Sequence, residues 1–357
     1  MRISLLVITI VSILMTTSCG DNSDDNKPHT TNTVSNSINA TTEFDAGLSY
    51  YNANPPNYVQ AAEYFQKAAE QDNMEAQLYL AALYESGLGV NQSWQKAIYW
   101  FKKAAMRGSL PAQYQLGLIY EKGQGVEKSR SQALHWLSLA AEQGEPDAQH
   151  QLGWLYMEES DSNQASQLSA IKWFKMAAEQ GHASAQNMLG WLYENGASGQ
   201  PELNEALKWY QASADQDNAY ALNNLGWFYW QGKAGKIDKE KALNYFIRAA
   251  ELGDSDAQLN LGLIYYQGDD VPTSIEQAQK WFMLSAEQGN PYAQYNLGWL
   301  MLKGEIKNAS PHAIRYYFQL ACDNSLQQAC LALQSDSQPL FIGTPEESVI
   351  HTPSVSH

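Results

Sequence analysis

The chain is poor in positive charge, in cysteine and in long apolar runs. Its 22 Lys and Arg stand against 38 Asp and Glu, a net charge of −16. Nucleic-acid binding needs a basic stripe to neutralise phosphates, so nucleic acid is not an expected partner. The acidity would suit a basic partner, and it also serves to keep helical surfaces soluble and apart. The apolar run from Ile3 to Met15 is too short to cross a bilayer as a helix. Seven histidines are scattered, with no H-E-x-x-H and no second His at metal spacing. Asp161, Asp254 and Asp256 lie in loops without the pattern a calcium site needs. No glycine run resembles a phosphate cradle. Neither a metal nor a cofactor is expected.

What the chain does have is a repeat. An aromatic recurs at Tyr64, Trp100, Trp136, Trp173, Trp209, Tyr245, Trp281 and Tyr317, in steps of 36 residues with one of 37. In phase with it run Ala76, Ala112, Ala148, Ala185, Ala221, Ala257, Ala293 and Ala329. Self-similarity at such a period is the mark of a solenoid. A solenoid has no single deep core for a catalytic site and works through an extended surface, so binding is the first expectation. Each unit reads as two helices. From Ala112, the residues Ala112, Leu116, Ile119 and Tyr120 fall on one helical face, and Gly123 and Gly125 end the helix. A second helix carries Ala133 to Ala141 and stops at Gly144. Eight helix pairs and a capping helix are expected over 40–334. The extra residue of the 37-step falls in the loop after Met157, where an insertion costs little.

The ends are of another kind. Arg2, the apolar run and Thr16-Thr17-Ser18 before Cys19 read as a secretory signal peptide over residues 1–18. The segment resembles the lipobox of bacterial lipoproteins, although Thr16 stands where that pattern usually has Leu. The resemblance implies a lipid on Cys19, and Gly20 in place of Asp implies the outer membrane, facing the periplasm, with the lipid as the only membrane contact. Residues 20–39 are polar and are expected, with Cys19, to form a disordered tether over 19–39. The tail over 335–357, with Pro339, Pro345 and Pro353, is expected to be unstructured as well. With Cys19 lipidated, Cys322 and Cys330 remain. An even pair in an oxidising compartment reads as a disulfide.

The stretches AQYQLGLIYEKGQGV and ALHWLSLAAEQG are similar to the Sel1-like repeat, a relative of the tetratricopeptide repeat. The L-G-x-x-Y-x-x-G core recurs at Leu116, Leu189, Leu225 and Leu261. It degrades at Ala81, Glu159 and Met301. The resemblance covers about Phe44 to Leu333. It implies an all-α protein, a right-handed α-solenoid of helix-turn-helix repeats that acts as an adaptor. The last unit looks like the cysteine-rich secreted subset of that family, in which a Cys ending one helix pairs with another eight residues on, as Cys322 and Cys330 would.

Tetratricopeptide geometry places certain positions on a concave groove. Counted from each Leu-Gly, they are Tyr114, Leu118, His150, Trp154, Asn187, Trp191, Asn223, Trp227, Trp230, Tyr266, Tyr295 and Trp299. Aromatics give large contact area at low entropic cost, and Asn amides can bond an extended backbone. The same tryptophans could equally pack between helices. The main expectation is a monomeric, envelope-anchored scaffold that binds a protein or peptide in this groove. An alternative is a periplasmic immunity protein that neutralises a secretion-system toxin such as a phospholipase. A third, disfavoured, is a β-lactam hydrolase, an activity reported for some cysteine-rich relatives. Ser93–Lys96 and Ser169–Lys172 spell the S-x-x-K of penicillin-binding enzymes, but neither S-D-N nor K-T-G occurs. No catalytic residue is assigned.

Overall fold

The structure, a computed structural model, describes residues 31–158, 164–233, 235–268 and 271–334, with side chains from residue 39 onward. The signal segment, Cys19, the start of the tether and the tail lie outside them. The described residues form seventeen helices and no strand. They divide into two compact units, one ending at Leu155 and the other beginning at Tyr156. The first contains α1 (Thr31–Tyr51), α2 (Tyr58–Glu70), α3 (Met74–Ser86), α4 (Trp94–Ala105), α5 (Leu110–Lys122), α6 (Arg130–Glu142) and most of α7 (Pro146–Glu158). The second contains α8 (Gln164–Glu179), α9 (Ala183–Glu194), α10 (Leu203–Ala214), α11 (Ala219–Trp230), α12 (Lys239–Glu251), α13 (Ser255–Gln267), α14 (Ile275–Glu287), α15 (Pro291–Leu302), α16 (Pro311–Asp323) and α17 (Gln327–Gln334). Odd-numbered helices open each pair and even-numbered ones close it, leaving α17 single.

One expectation is corrected at the start of the chain. Residues 31–39, assigned to the tether, are helical and belong to α1. Composition indicated that this segment has little to bury, which is true. But α1 is already nucleated by Phe44 and Tyr51, which are buried against Phe65 and Tyr79. Once a helix exists, each added residue gains a hydrogen bond without a new nucleation cost.

Polar caps start the helices. The side chains of Asn73, Asn218, Asp254 and Asn290 accept from the backbone N–H of Ala76, Ala221, Ala257 and Ala293. The alanine series therefore marks the third position of the helices from α3 onward that open a pair, and of α17; each of these alanines is fully buried, where a larger side chain has no room. Serines cap several closing helices: Ser93, Ser129, Ser274 and Ser310.

The core follows a series one residue past the tryptophans: Phe65, Phe101, Leu137, Phe174, Tyr210, Phe246, Phe282 and Phe318. All are buried. These rings press on the glycine of the Leu-Gly pair. A Cβ at Gly226 would lie 2.5 Å from the Phe246 ring, and one at Gly262 2.4 Å from Phe282. The glycine therefore permits close approach of the two helices in a pair.

A glutamine series stitches one pair to the next. In the first unit the Nε2 of Gln77, Gln113 and Gln149 donates to the carbonyls of Ala69, Ala105 and Ala141, eight residues back. In the second unit Gln186, Gln258 and Gln294 do the same to Ala178, Ala250 and Ala286. The Oε1 of the same glutamine accepts from the turn that ends its own pair. Gln143 donates to Gln113, Gln216 to Gln186, Gln288 to Gln258 and Asn324 to Gln294. At one repeat Leu222 and Leu252 replace both members of this polar pair. At the end Cys330 takes the register of Gln294 and Cys322 that of Ala286, and the two are disulfide-bonded. The bond thus joins covalently the two positions that a hydrogen bond joins one repeat earlier.

Candidate functional site

The opening helices carry the predicted groove residues, and the two units treat them differently. In the first unit Tyr114 and Leu118 on α5 and His150 and Trp154 on α7 are half-buried, with part of each side chain open to solvent. Trp154 Nε1 donates to His150 Nε2 at 3.1 Å, and the two rings meet edge-on. Gln151 donates to both oxygens of Glu121, at 2.8 and 2.9 Å. The Tyr114 hydroxyl is held protonated, first by burial and then by the carboxylates of Asp147, Glu121 and Glu145. Glu85 occupies the register of Glu121 one repeat earlier. Burial pushes it up to about 7, and its Oε2 is buried without a hydrogen-bond partner.

In the second unit Trp191 and Tyr266 are half-buried, but the exposed stripe expected there is not present. Trp227 is 3% exposed and Trp230 7%, and Asn187, Asn223, Tyr295 and Trp299 are buried too. Trp227 lies 5.3 Å from Phe246 and 6.4 Å from Trp230, ring centre to ring centre. Tyr295 packs on Phe318, and Trp299 on Tyr266. The physical reason lies in the neighbours: Trp227 is covered by Phe246 and Trp230 together, whereas Trp154 and Trp191 in the same register stay half-open. The asparagines are also engaged. Asn224 donates to Asn187 at 2.9 Å and Asn260 to Asn223 at 3.1 Å, so the amides bond each other from repeat to repeat. Asn296 would make the next rung, but Leu259 stands where Asn187 and Asn223 stood. Both amide atoms of Asn296 are buried without partners.

Sequence reasoning missed the polar contacts at the rim of this face. Glu194 accepts from Tyr210 Oη at 2.6 Å and from Lys233 Nζ at 2.7 Å. Tyr210 is the one tyrosine in the buried phenylalanine series, so its hydroxyl needs this partner. Burial and Glu194 hold that phenol well above its usual range. Lys239 lies over the Trp230 ring at 4.8 Å and Lys303 over Trp299 at 5.4 Å. The departure of Tyr210 from Phe was the available sequence signal.

The two S-x-x-K segments are structural. Ser93 Oγ accepts from the Lys96 N–H as a helix cap, and Ser169 Oγ donates to the Ala165 carbonyl. Lys96 lies over Tyr84 and Lys172 over Trp173. Among the described residues no group of three or more His, Cys, Asp and Glu side chains is placed to hold a metal ion. No described helix is long and apolar enough to cross a membrane.

Residues 43–326 match the Sel1 repeat family in eight consecutive segments: 43–73, 75–109, 110–145, 146–182, 183–218, 219–254, 255–290 and 291–326. Among solved structures, the chain is similar to a Sel1 repeat protein from Oxalobacter formigenes, with 25% identity and a TM-score of 0.72 over 89% of this chain and 98% of that one. It is also similar to c5321, a protective antigen of uropathogenic Escherichia coli with the same repeat fold, at 30% identity and a TM-score of 0.67. That match covers 85% of this chain but only 65% of the antigen's own length. No functionally curated protein matches the chain. Sel1 repeats generally mediate protein–protein interactions and are in general non-enzymatic scaffolds. With eight matched segments across an all-α array of helix pairs, the chain belongs to the Sel1 repeat family.

Proposed function

We propose that this protein is an envelope-anchored scaffold that binds a protein or peptide along the face of its opening helices. The observation that carries the reading is the set of half-open large side chains in repeat register: Tyr114, Leu118, His150 and Trp154 in one unit, Trp191 and Tyr266 in the other. Half-open aromatics present area to a partner while their buried portion holds them rigid, which lowers the entropy lost on binding. The anchor would be a lipid on Cys19 at the outer membrane, with the array facing the periplasm. Cys19→Ala should release the protein from the membrane fraction; a wild-type protein already wholly soluble would remove the anchor from the proposal.

The test of binding is capture from envelope extract with wild type and with a Trp154→Ala/Trp191→Ala variant whose helicity and melting are checked first. A partner retained by wild type and lost by the folded variant supports the face. An unchanged set of captured proteins excludes it. The net charge of −16 supports a second reading, neutralisation of a basic toxin in the periplasm. In that case the captured partner is itself toxic when delivered to cells lacking this protein.

A further inference from the structure

On the second unit's opening-helix face, Glu194, Trp230 and Trp299 are already covered by cations, and the cations are the protein's own. Lys233 reaches Glu194 at 2.7 Å, and Lys239 lies on Trp230. Both come from one short lysine-rich segment, Lys233 to Lys241, in a chain where acids outnumber bases 38 to 22. Trp230 borders an open cavity of about 550 Å³, with the apolar Ile237, Leu243 and Val271, the carboxylates of Asp238 and Glu240, and Lys236 and Lys239 around it. Ile237 is 62% exposed there. The cavity lining offers an indole face, aliphatic walls and two carboxylates, which suits the apolar stem and charged head of a long cationic side chain. An anionic ligand is the poorer fit, because three of the four lysines in the segment are already engaged: Lys233 with Glu194, Lys239 with Trp230 and Lys241 with Tyr229.

Resting on the scaffold reading above, we propose that Glu194 and the Trp230 cavity are subsites for Lys or Arg side chains of an extended basic segment in a partner protein, with Lys233 and Lys239 as placeholders that the partner displaces. Each internal contact shows that its subsite takes a cation. The exchange replaces one ammonium by another, so the site stays charge-compensated when empty and when filled. The carboxylate of Glu194 is never left buried and bare, which would be costly. The Lys239–Trp230 contact is weak, and the Lys233–Glu194 pair, with its carboxylate 17% exposed, is exchanged for an equivalent ammonium rather than lost, so a multivalent basic segment can win.

The test uses the full chain and two defined probes, fluorescently labelled decalysine and decaglutamate, titrated at low and at moderate salt. Decalysine should bind with marked salt dependence and decaglutamate should not. The deciding comparison is between two variants of equal charge. Lys233→Gln/Lys239→Gln removes the placeholders. Lys208→Gln/Lys280→Gln removes two lysines that cover Trp209 and Trp281 on closing helices at similar distances, 4.9 and 4.7 Å. The first should tighten decalysine binding by about threefold or more, the second by clearly less. Glu194→Gln, which keeps a partner for Tyr210, should weaken it by about threefold or more. Equal tightening in both double variants means general acidity and overturns the proposal, as does decalysine binding insensitive to Glu194→Gln. If decalysine fails to bind while a captured partner still depends on Trp191, the cation subsites fall and the scaffold reading stands. Loss of that partner dependence with intact decalysine binding is the reverse case.

Discussion

Trp154 in the first unit and Trp227 in the second occupy the same position of the repeat, yet one is half-open and the other 3% exposed. Trp154 turns its indole N–H to His150 on its own helix. Trp227 lies over Phe246, beside Trp230. The closing helix that follows Trp154 carries Phe174, but where Trp227 has Trp230 one turn on, Trp154 has Met157. Register decides which face a residue belongs to. The bulk of its neighbours decides whether it is reachable.

The largest expected effects test that contrast. Trp227→Ala should destabilise by ~3–5 kcal/mol, as much as Trp209→Ala, because both indoles are buried and leave a cavity. Trp154→Ala should cost ~1 kcal/mol or little more. Chemical denaturation of the three variants checks this. If Trp154→Ala matches Trp227→Ala, the exposure difference has no energetic meaning; if Trp227→Ala is mild, its burial is wrong.

Next comes the end of the array. Cys322 and Cys330 close a loop only eight residues apart, so the chain-entropy contribution should be somewhat under ~3 kcal/mol. Reduction should loosen α17 and leave the other helices protected, since repeat stability is set by nearest neighbours. Amide exchange in reduced and oxidised protein measures it. Loss of protection throughout the second unit would mean that the clasp supports more than its own helix.

The units should also share a pH response. Burial raises Glu85 to about 7 in the first unit and Asp254 to about 7 in the second. The unfolded chain releases these protons near 4 to 4.5, and the folded one holds them longer. Stability should therefore fall as pH rises from about 4.5 through 7. Glu85→Gln should flatten that fall, and Asp254→Asn should too while preserving the cap, since Asn73, Asn218 and Asn290 already cap this way. Melting temperature against pH is the measurement; a slope unchanged in both variants excludes these two carboxyls as its source.

The smallest contrast is within the asparagine rungs. Asn296→Leu removes a buried amide that has no partner and should stabilise by ~1 kcal/mol. Asn260→Leu breaks the bond to Asn223 and should destabilise by a similar amount. Thermal melting of the pair decides it. Destabilisation by both would show that the Asn296 amide is satisfied in solution, and stabilisation by both that the Asn260–Asn223 bond contributes nothing.

The repeat and the helix pairs were legible in the sequence, because each rests on local chemistry at a fixed step; the polar caps that start the helices were seen only in the structure. Alanine recurs where the opening helix is fully buried at its third position, and glycine where Phe246 or Phe282 presses. The onset of α1 was not legible, since residues 31–39 have too little apolar character to announce a helix that is propagated from Phe44. The burial of Trp227 was not legible either, because it depends on Trp230 and Phe246 acting together. The Glu194–Lys233 contact joins residues 39 apart in sequence, and no periodicity encodes it.

The glutamine stitching has a consequence for how such a chain can change length. Gln258 and Gln294 each grip a carbonyl eight residues behind and offer an oxygen thirty residues ahead. Excising 255–290 would bring Gln294 to the place of Gln258, with Ala250 behind it and Asn324 still ahead. Every bond finds an equivalent atom, so a 36-residue cassette can be lost or duplicated by recombination without rewriting its junctions. Leu222 and Leu252 are the exception: both registers are apolar in that repeat, so a junction that kept one without the other would set a glutamine opposite a leucine.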